Sequence, residues 1–278
     1  MSGAAAIEAW SGKDRGDENF PVGSLLIRRD LRRHVHAFYA FARNADDIAD
    51  SATLAPEEKV ARLDVMEDVL LGRADAGSPS ALRLRASLAE TGVTSRHSTD
   101  LLVAFRQDAT KLRYASWDEL VEYCRYSAMP VGRHVLDLHG EDRAAWDPSD
   151  ALCTALQVLN HLQDCATDLA LLDRCYLPTE LLARYGAHVD DLRGPAATSN
   201  LRHVFDALLE RVDALNQTAA GLPRRTRSRR LRLETAVIVR LSRRLARHLR
   251  RADPVARRVR LRPPDAVVSV LAALRFLP

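Results

Sequence analysis

An all-α fold is what this sequence predicts, on two observations. Apolar residues recur three and four apart through almost every patterned stretch, the period of a helix with one buried face, and alternating strand-like stretches are hard to find. With 278 residues and no linker-like segment, the chain reads as one large helical domain over 18–278 behind a disordered lead-in at 1–17.

The first helical pattern runs from Leu25 through Ile48. Others cover 56–71, 79–90, 99–110, 117–139, 148–172, 200–220, 227–252 and 265–277, separated by turn-rich stretches such as GRADAGSPS and GEDRAAWDPSD. Asp147-Pro148 marks a helix start, because an aspartate cap satisfies orphan amides and proline presets φ at the first helical position. Pro130 falls inside a pattern, in YCRYSAMPVGRHVL, where it removes a backbone hydrogen bond and should kink the helix, with Gly132 allowing close approach just after. A harmless bend and a pocket-lining break both fit that proline.

No run of about 18 apolar residues could span a bilayer, and the polar N-terminus MSGAAAIEAWSGKDRGDE lacks the pattern of a secretory signal. A cytosolic protein is therefore expected. Cys124, Cys153, Cys165 and Cys175 form no C-x-x-C pair and lie in apolar helical patterns, so they read as small buried hydrophobes, not as a disulfide framework or zinc site. The net charge of +4 is small, but arginine thickens between Arg224 and Arg262. A helical nucleic-acid-binding protein is one reading of that charge. No helix-turn-helix, zinc finger or base-stacking platform accompanies it, so no nucleic-acid partner is expected. A solvated face, or a docking surface for an anionic membrane, is the other reading.

Two acidic motifs carry the chemistry. In FYAFARNADDIAD, Asp46 and Asp50 are four apart and share a helical face, with Asp47 alongside; in LQVLNHLQDCATDLALL the same spacing recurs at Asp164 and Asp168. One D-x-x-x-D is more often a solvated face. Two of them inside apolar helices are like charges that need a compensating cation, and Mg²⁺ commonly bridges one or two carboxylates to substrate phosphate oxygens. Arg43, two turns before Asp50, and Arg174, after the second pair, are candidates to fork onto the same phosphate, with a surface ion pair as the alternative for each.

These segments resemble the squalene/phytoene synthase family, and within it the bacterial hydroxysqualene synthase branch of hopanoid biosynthesis. The resemblance rests on ENFPVGSLLIRRDLRRHVHAFYAFARNADDIAD at 18–50, FRQDATKLRYASWDELVEYCRYSAMPVGR at 105–133 and LQVLNHLQDCATDLALLDRCYLP at 156–178. It implies a single helical bundle around a deep apolar cavity with the two aspartate-rich helices facing each other at its mouth. It also implies that Asp46, Asp50, Asn160, Asp164 and Asp168 hold Mg²⁺, that Tyr39, Arg43 and Gln157 contact the diphosphate or its surroundings, and that Tyr123 sits near the reacting carbons. From the residues alone, Tyr123 fits a core aromatic equally well. Two departures bear on these expectations. Ser127 to Gly132 replaces a V-A-G-x-V-G pattern, and the stretch between Asp168 and Arg174 is one residue longer than in carotenoid-forming relatives, which leaves the aim of Arg174 open.

The implied reaction is ionisation of a prenyl diphosphate to a carbocation, with presqualene diphosphate and water giving hydroxysqualene and diphosphate. The alternative enzyme joins two farnesyl diphosphates head to head, giving presqualene diphosphate or squalene. On the first reading the product is an alcohol, no nicotinamide cofactor is needed, and other enzymes of the squalene pathway are the natural partners.

Overall fold

The computed structural model describes residues 7–8 and 27–276, in which helix follows helix from Arg32 onward and no strand occurs. The motif ENFPVGS, and all of the expected lead-in except Ile7 and Glu8, lie outside the described residues. The elements are α1 (Arg32–Ala49), α2 (Pro56–Leu70), α3 (Pro79–Thr91), α4 (Arg96–Asp108), α5 (Trp117–Ser127), α6 (Met129–Leu138), α7 (Trp146–Leu172), α8 (Thr179–Tyr185), α9 (Ser199–Ala219), α10 (Leu222–Arg225), α11 (Arg229–Arg251) and α12 (Pro263–Ala273). Short 3₁₀ turns occupy Arg143–Ala145, Val189–Arg193 and Leu274–Phe276.

Local chemistry explains most boundaries. Pro56 and Pro79 open α2 and α3, while the hydroxyls of Ser78, Ser116 and Thr198 accept the backbone N–H of Ala81, Glu119 and Leu201 at 3.1, 3.2 and 3.1 Å. Two helix starts differ from the sequence reading, and two short helices were not foreseen. Among the described residues the first helix begins at Arg32, since residues 28–31 turn before entering it; the expected start at Leu25 lies outside the described residues. Asp147 is not a cap: Asp142 accepts from Ala144, the 3₁₀ turn runs straight into α7 at Trp146, and Asp147 and Pro148 lie within the first helical turn. The short helices α8 and α10 were too brief to leave a periodic signal.

The break expected at Pro130 divides 117–139 into α5 and α6. Ala128 leaves helical geometry at φ −125° and ψ −48°, and Pro130 then sits in the first turn of α6, where its missing N–H costs nothing. The close approach expected at Gly132 is also present: a Cβ there would collide with Ser149 Oγ and lie 2.7 Å from Cys153 Sγ of α7. Arg133 clamps the same interface through Asp150, at 2.9 and 2.5 Å.

Two of the apolar clusters hold most of the helices. One joins α1 to α4 through Phe41, Ile48, Leu63, Leu84 and Leu101; the other packs α5, α7, α9 and α11 through Leu120, Leu159, Phe205, Leu209 and Leu245. Each of these side chains is at most 2% exposed, and burying one contributes about 1.5–3 kcal/mol. The cysteines are unpaired, and all but the half-buried Cys153 are fully buried, as the apolar patterns imply.

Candidate functional site

One face of α1 is spent on the core, through Phe38, Phe41, Ala45 and Ile48. The adjoining face carries Tyr39, Arg43, Asp46 and Asp50, spaced four, three and four apart and all half-buried. Arg43 lies within this face, its Nη1 3.0 Å from Asp46 Oδ2 and its Nη2 2.7 Å from Asp47 Oδ1. The protein packed around Asp46, and then the Asp50 carboxylate, raise the Asp46 pKa to about 8, with Arg43 opposing.

The second acidic helix repeats the arrangement. Gln157, Asn160, Asp164 and Asp168 follow one another three and four apart along α7 and are all half-buried, while Val158, Leu159, Leu162, Cys165 and Leu169 are buried beside them. Asp164 is gripped by Arg258, whose Nε lies 2.7 Å from Oδ1 and whose Nη2 donates to Oδ2 at 2.9 Å. Nothing in the sequence singled Arg258 out from the other arginines around it.

Arg174 follows the second acidic helix and reaches the end of the first. Asp173 ends α7 in the left-handed region, at φ 50°. The chain then runs beside 112–115, with Cys175 N–H donating to Leu112 O at 2.9 Å and Thr179 N–H to Tyr114 O at 2.9 Å. This turn aims Arg174 inward, where it is 5% exposed. Its Nη1 donates to Asp50 Oδ1 at 2.9 Å and to Tyr176 Oη at 3.2 Å, and its Nη2 donates to Asp108 O at 2.9 Å. The longer stretch before Arg174 therefore still delivers it to the first acidic helix.

Behind Arg174 lies a buried network that the sequence reading passed over, although its members sit in segments quoted there. The Asp108 carboxylate accepts from Tyr123 Oη at 2.8 Å and from Tyr176 Oη at 2.9 Å. Burial raises the Asp108 pKa to about 6, while Arg174 and the two hydroxyls pull it down. Burial works against the Arg174 charge, but Tyr176, Asp108 and Asp50 outweigh it and its pKa is raised. Tyr123 is thus a buried aromatic with a satisfied hydroxyl, packed with Tyr114, Tyr176 and His161 at ring distances of 5.3, 5.5 and 5.9 Å. Lys59 adds a further cation near the end of α1, donating to Ala49 O at 2.9 Å; burial and the Arg174 charge lower its pKa.

Hard oxygen donors on both helices are a set that a divalent cation could use, and a carboxyl whose pKa is raised by burial and a neighbouring carboxylate is one whose ionised form a cation would favour. Among the described residues no three His, Cys, Asp or Glu side chains converge closely enough to ligate one ion by themselves. Asp46 and Asp50 on the first helix and Asn160, Asp164 and Asp168 on the second are the residues that would supply oxygen donors to such an ion, which would neutralise phosphate charge.

The chain as a whole is similar to known proteins. The squalene/phytoene synthase family model matches residues 13–265. A hydroxysqualene synthase of Rhodopseudomonas palustris is 46% identical over 97% of this chain and 92% of its own length, and one of Sinorhizobium fredii is 43% identical over 93% and 88%. The crystal structure of a squalene synthase from Alicyclobacillus acidocaldarius, 34% identical, superposes with a TM-score of 0.74 over 85% of this chain and 90% of that one. The all-α isoprenoid synthase fold and a family match over most of its length establish that this chain belongs to the squalene/phytoene synthase family.

Proposed function

We propose that this protein is a hydroxysqualene synthase, converting presqualene diphosphate and water to hydroxysqualene and diphosphate in the route to hopanoids. The observation that carries the proposal is the 46% identity to a hydroxysqualene synthase over 97% of the chain. Family membership supports an enzyme acting on a prenyl diphosphate; Mg²⁺ dependence and the water-quenched outcome are the proposal's own content.

On this reading Asp46, Asp50, Asn160, Asp164 and Asp168 hold Mg²⁺, which when bound neutralises charge developing on the departing diphosphate. Arg43 and Arg174 offer guanidinium donors to the same oxygens, with Tyr39 and Gln157 at their edges. Arg174 is pre-set for that task because Asp108 and Tyr176 fix its fork before substrate arrives. Tyr123 stands beside the carbocation with its hydroxyl turned to Asp108, so that its ring face, and not a nucleophilic oxygen, meets the positive charge. The apolar side chains around the tyrosines exclude stray water. Water enters at the last step to form the carbon–oxygen bond and give up a proton.

A second reading has its own support in the 34% identity to a squalene synthase: head-to-head joining of two farnesyl diphosphates. Incubation with presqualene diphosphate, Mg²⁺ and ¹⁸O-labelled water, with and without NADPH, separates the two. Labelled hydroxysqualene in both reactions is the expected result. Squalene formed only with NADPH would overturn it.

A further inference from the structure

The last helix is built inside out. The buried residues of α12 are Asp265, Ser269 and Ala273, while Val267, Val268, Val270, Leu271 and, just past its end, Leu274 are 57, 44, 41, 61 and 43% exposed. Residues 267, 270, 271 and 274 follow the i, i+3, i+4, i+7 spacing and form one continuous outward stripe, with Val268 at its edge. The inward polar side is anchored: Asp265 receives Arg244 at 3.1 Å and His248 at 3.0 Å from α11. This anchoring fixes the rotation of α12 and keeps its valines and leucines out of the core. Half of the large apolar side chains that are exposed among the described residues belong to this one stripe.

The surroundings of the stripe are cationic. Residues 224–275 hold 17 arginines against three carboxylates, in a chain whose total net charge is only +4. Next to α12, the half-buried Arg240 has Arg275, Arg243 and Arg244 as its charged neighbours, and burial together with these like charges lowers its pKa. An apolar helical face bordered by mutually repelling guanidinium groups is complementary to a surface with hydrocarbon beneath and phosphate above. No helix of the described residues is long and apolar enough to cross a membrane, so contact through this face would be one-sided.

We infer that the outward face of α12 is a docking surface for an anionic lipid bilayer, its valines and leucines entering the headgroup boundary while Arg240, Arg243 and Arg275 meet lipid phosphates. The inference stands on the geometry of α12 and does not depend on which reaction the aspartate helices perform.

Flotation of the full chain with phosphatidylglycerol-containing vesicles and with pure phosphatidylcholine vesicles tests it, alongside the Val267→Ser/Leu271→Ser double variant and the Arg240→Gln/Arg275→Gln double variant. The expected result is recovery several-fold higher on anionic vesicles, weakened by salt, and cut at least five-fold by either double variant at an unchanged thermal midpoint. A Leu271→Trp variant should shift its emission to the blue only with anionic vesicles. Equal recovery on both vesicle types, or a serine variant that floats as well as the parent, overturns the inference. A dimer in light scattering that the serine variant loses, with no flotation by the parent, also overturns it and assigns the face to a second copy of the chain.

Discussion

Arg174 and Asp50 are 124 residues apart in sequence, yet the guanidinium Nη1 lies 2.9 Å from the carboxylate Oδ1. The contact ties the segment after the second acidic helix to the end of the first. The rest of the fork is held by the Asp108 carbonyl and the Tyr176 hydroxyl, so Arg174 belongs at once to the fold and to the candidate site.

Removing that fork should affect both. Arg174→Met is expected to lower stability by about 3 kcal/mol, because it leaves the buried Asp108 and its tyrosines without their cation. It should also reduce turnover at least 100-fold. Urea unfolding and a diphosphate-release assay measure the two effects. A variant that unfolds early but turns over normally would confine Arg174 to structure.

Asp50→Asn and Asp164→Asn should each abolish turnover while leaving the helical content intact. Their effects on stability should stay within about 1 kcal/mol, since Asp50 and Asp164 are about 30% exposed in their ion pairs with Arg174 and Arg258. Circular dichroism and the release assay at ordinary Mg²⁺ decide the matter; an active variant removes that aspartate from the metal set.

Gly132→Ala should destabilise by about 1–3 kcal/mol, because its new methyl would meet Ser149 Oγ and Cys153 Sγ well inside contact distance. The backbone there is ordinary helix, so the cost is steric alone. Adding Ser149→Ala removes the nearer obstacle and should recover part of the loss. Additive effects in denaturant titrations would show that α6 and α7 separate more easily than their packing implies.

His134 supplies a pH-dependent cost. Its ring stacks on Phe38 at 3.8 Å, and neither nitrogen has a hydrogen-bond partner among the described residues. Burial lowers its pKa from 6.5 to about 3. The unfolded chain takes up this proton below pH 6.5 and the folded chain does not, so stability is full above that pH and falls on acidification toward pH 3. The slope is about 1.4 kcal/mol per pH unit. His134→Phe keeps the stack and removes both orphan nitrogens. It should raise stability at neutral pH by about 1–2 kcal/mol and flatten the acid limb by one proton, as measured by urea unfolding between pH 4 and 7.

By itself the sequence determined the longer helices, their buried faces and the two acidic rows. Each follows from spacing within about one to three turns, as along Tyr39, Arg43, Asp46 and Asp50 or Gln157, Asn160, Asp164 and Asp168. The break at Pro130 and the small contact at Gly132 were legible for the same reason: a proline lacks its donor, and a glycine its Cβ, wherever it stands. Only the tertiary structure decided that Arg174 reaches Asp50, that Arg258 grips Asp164, and that Asp108 gathers two tyrosine hydroxyls. It likewise decided that α12 turns its valines outward, since Asp265 finds Arg244 and His248 on one side only. Those choices depend on which helix packs against which, and a charge that can pair with any of several arginines in the linear chain acquires one partner only when packing fixes the distance between them.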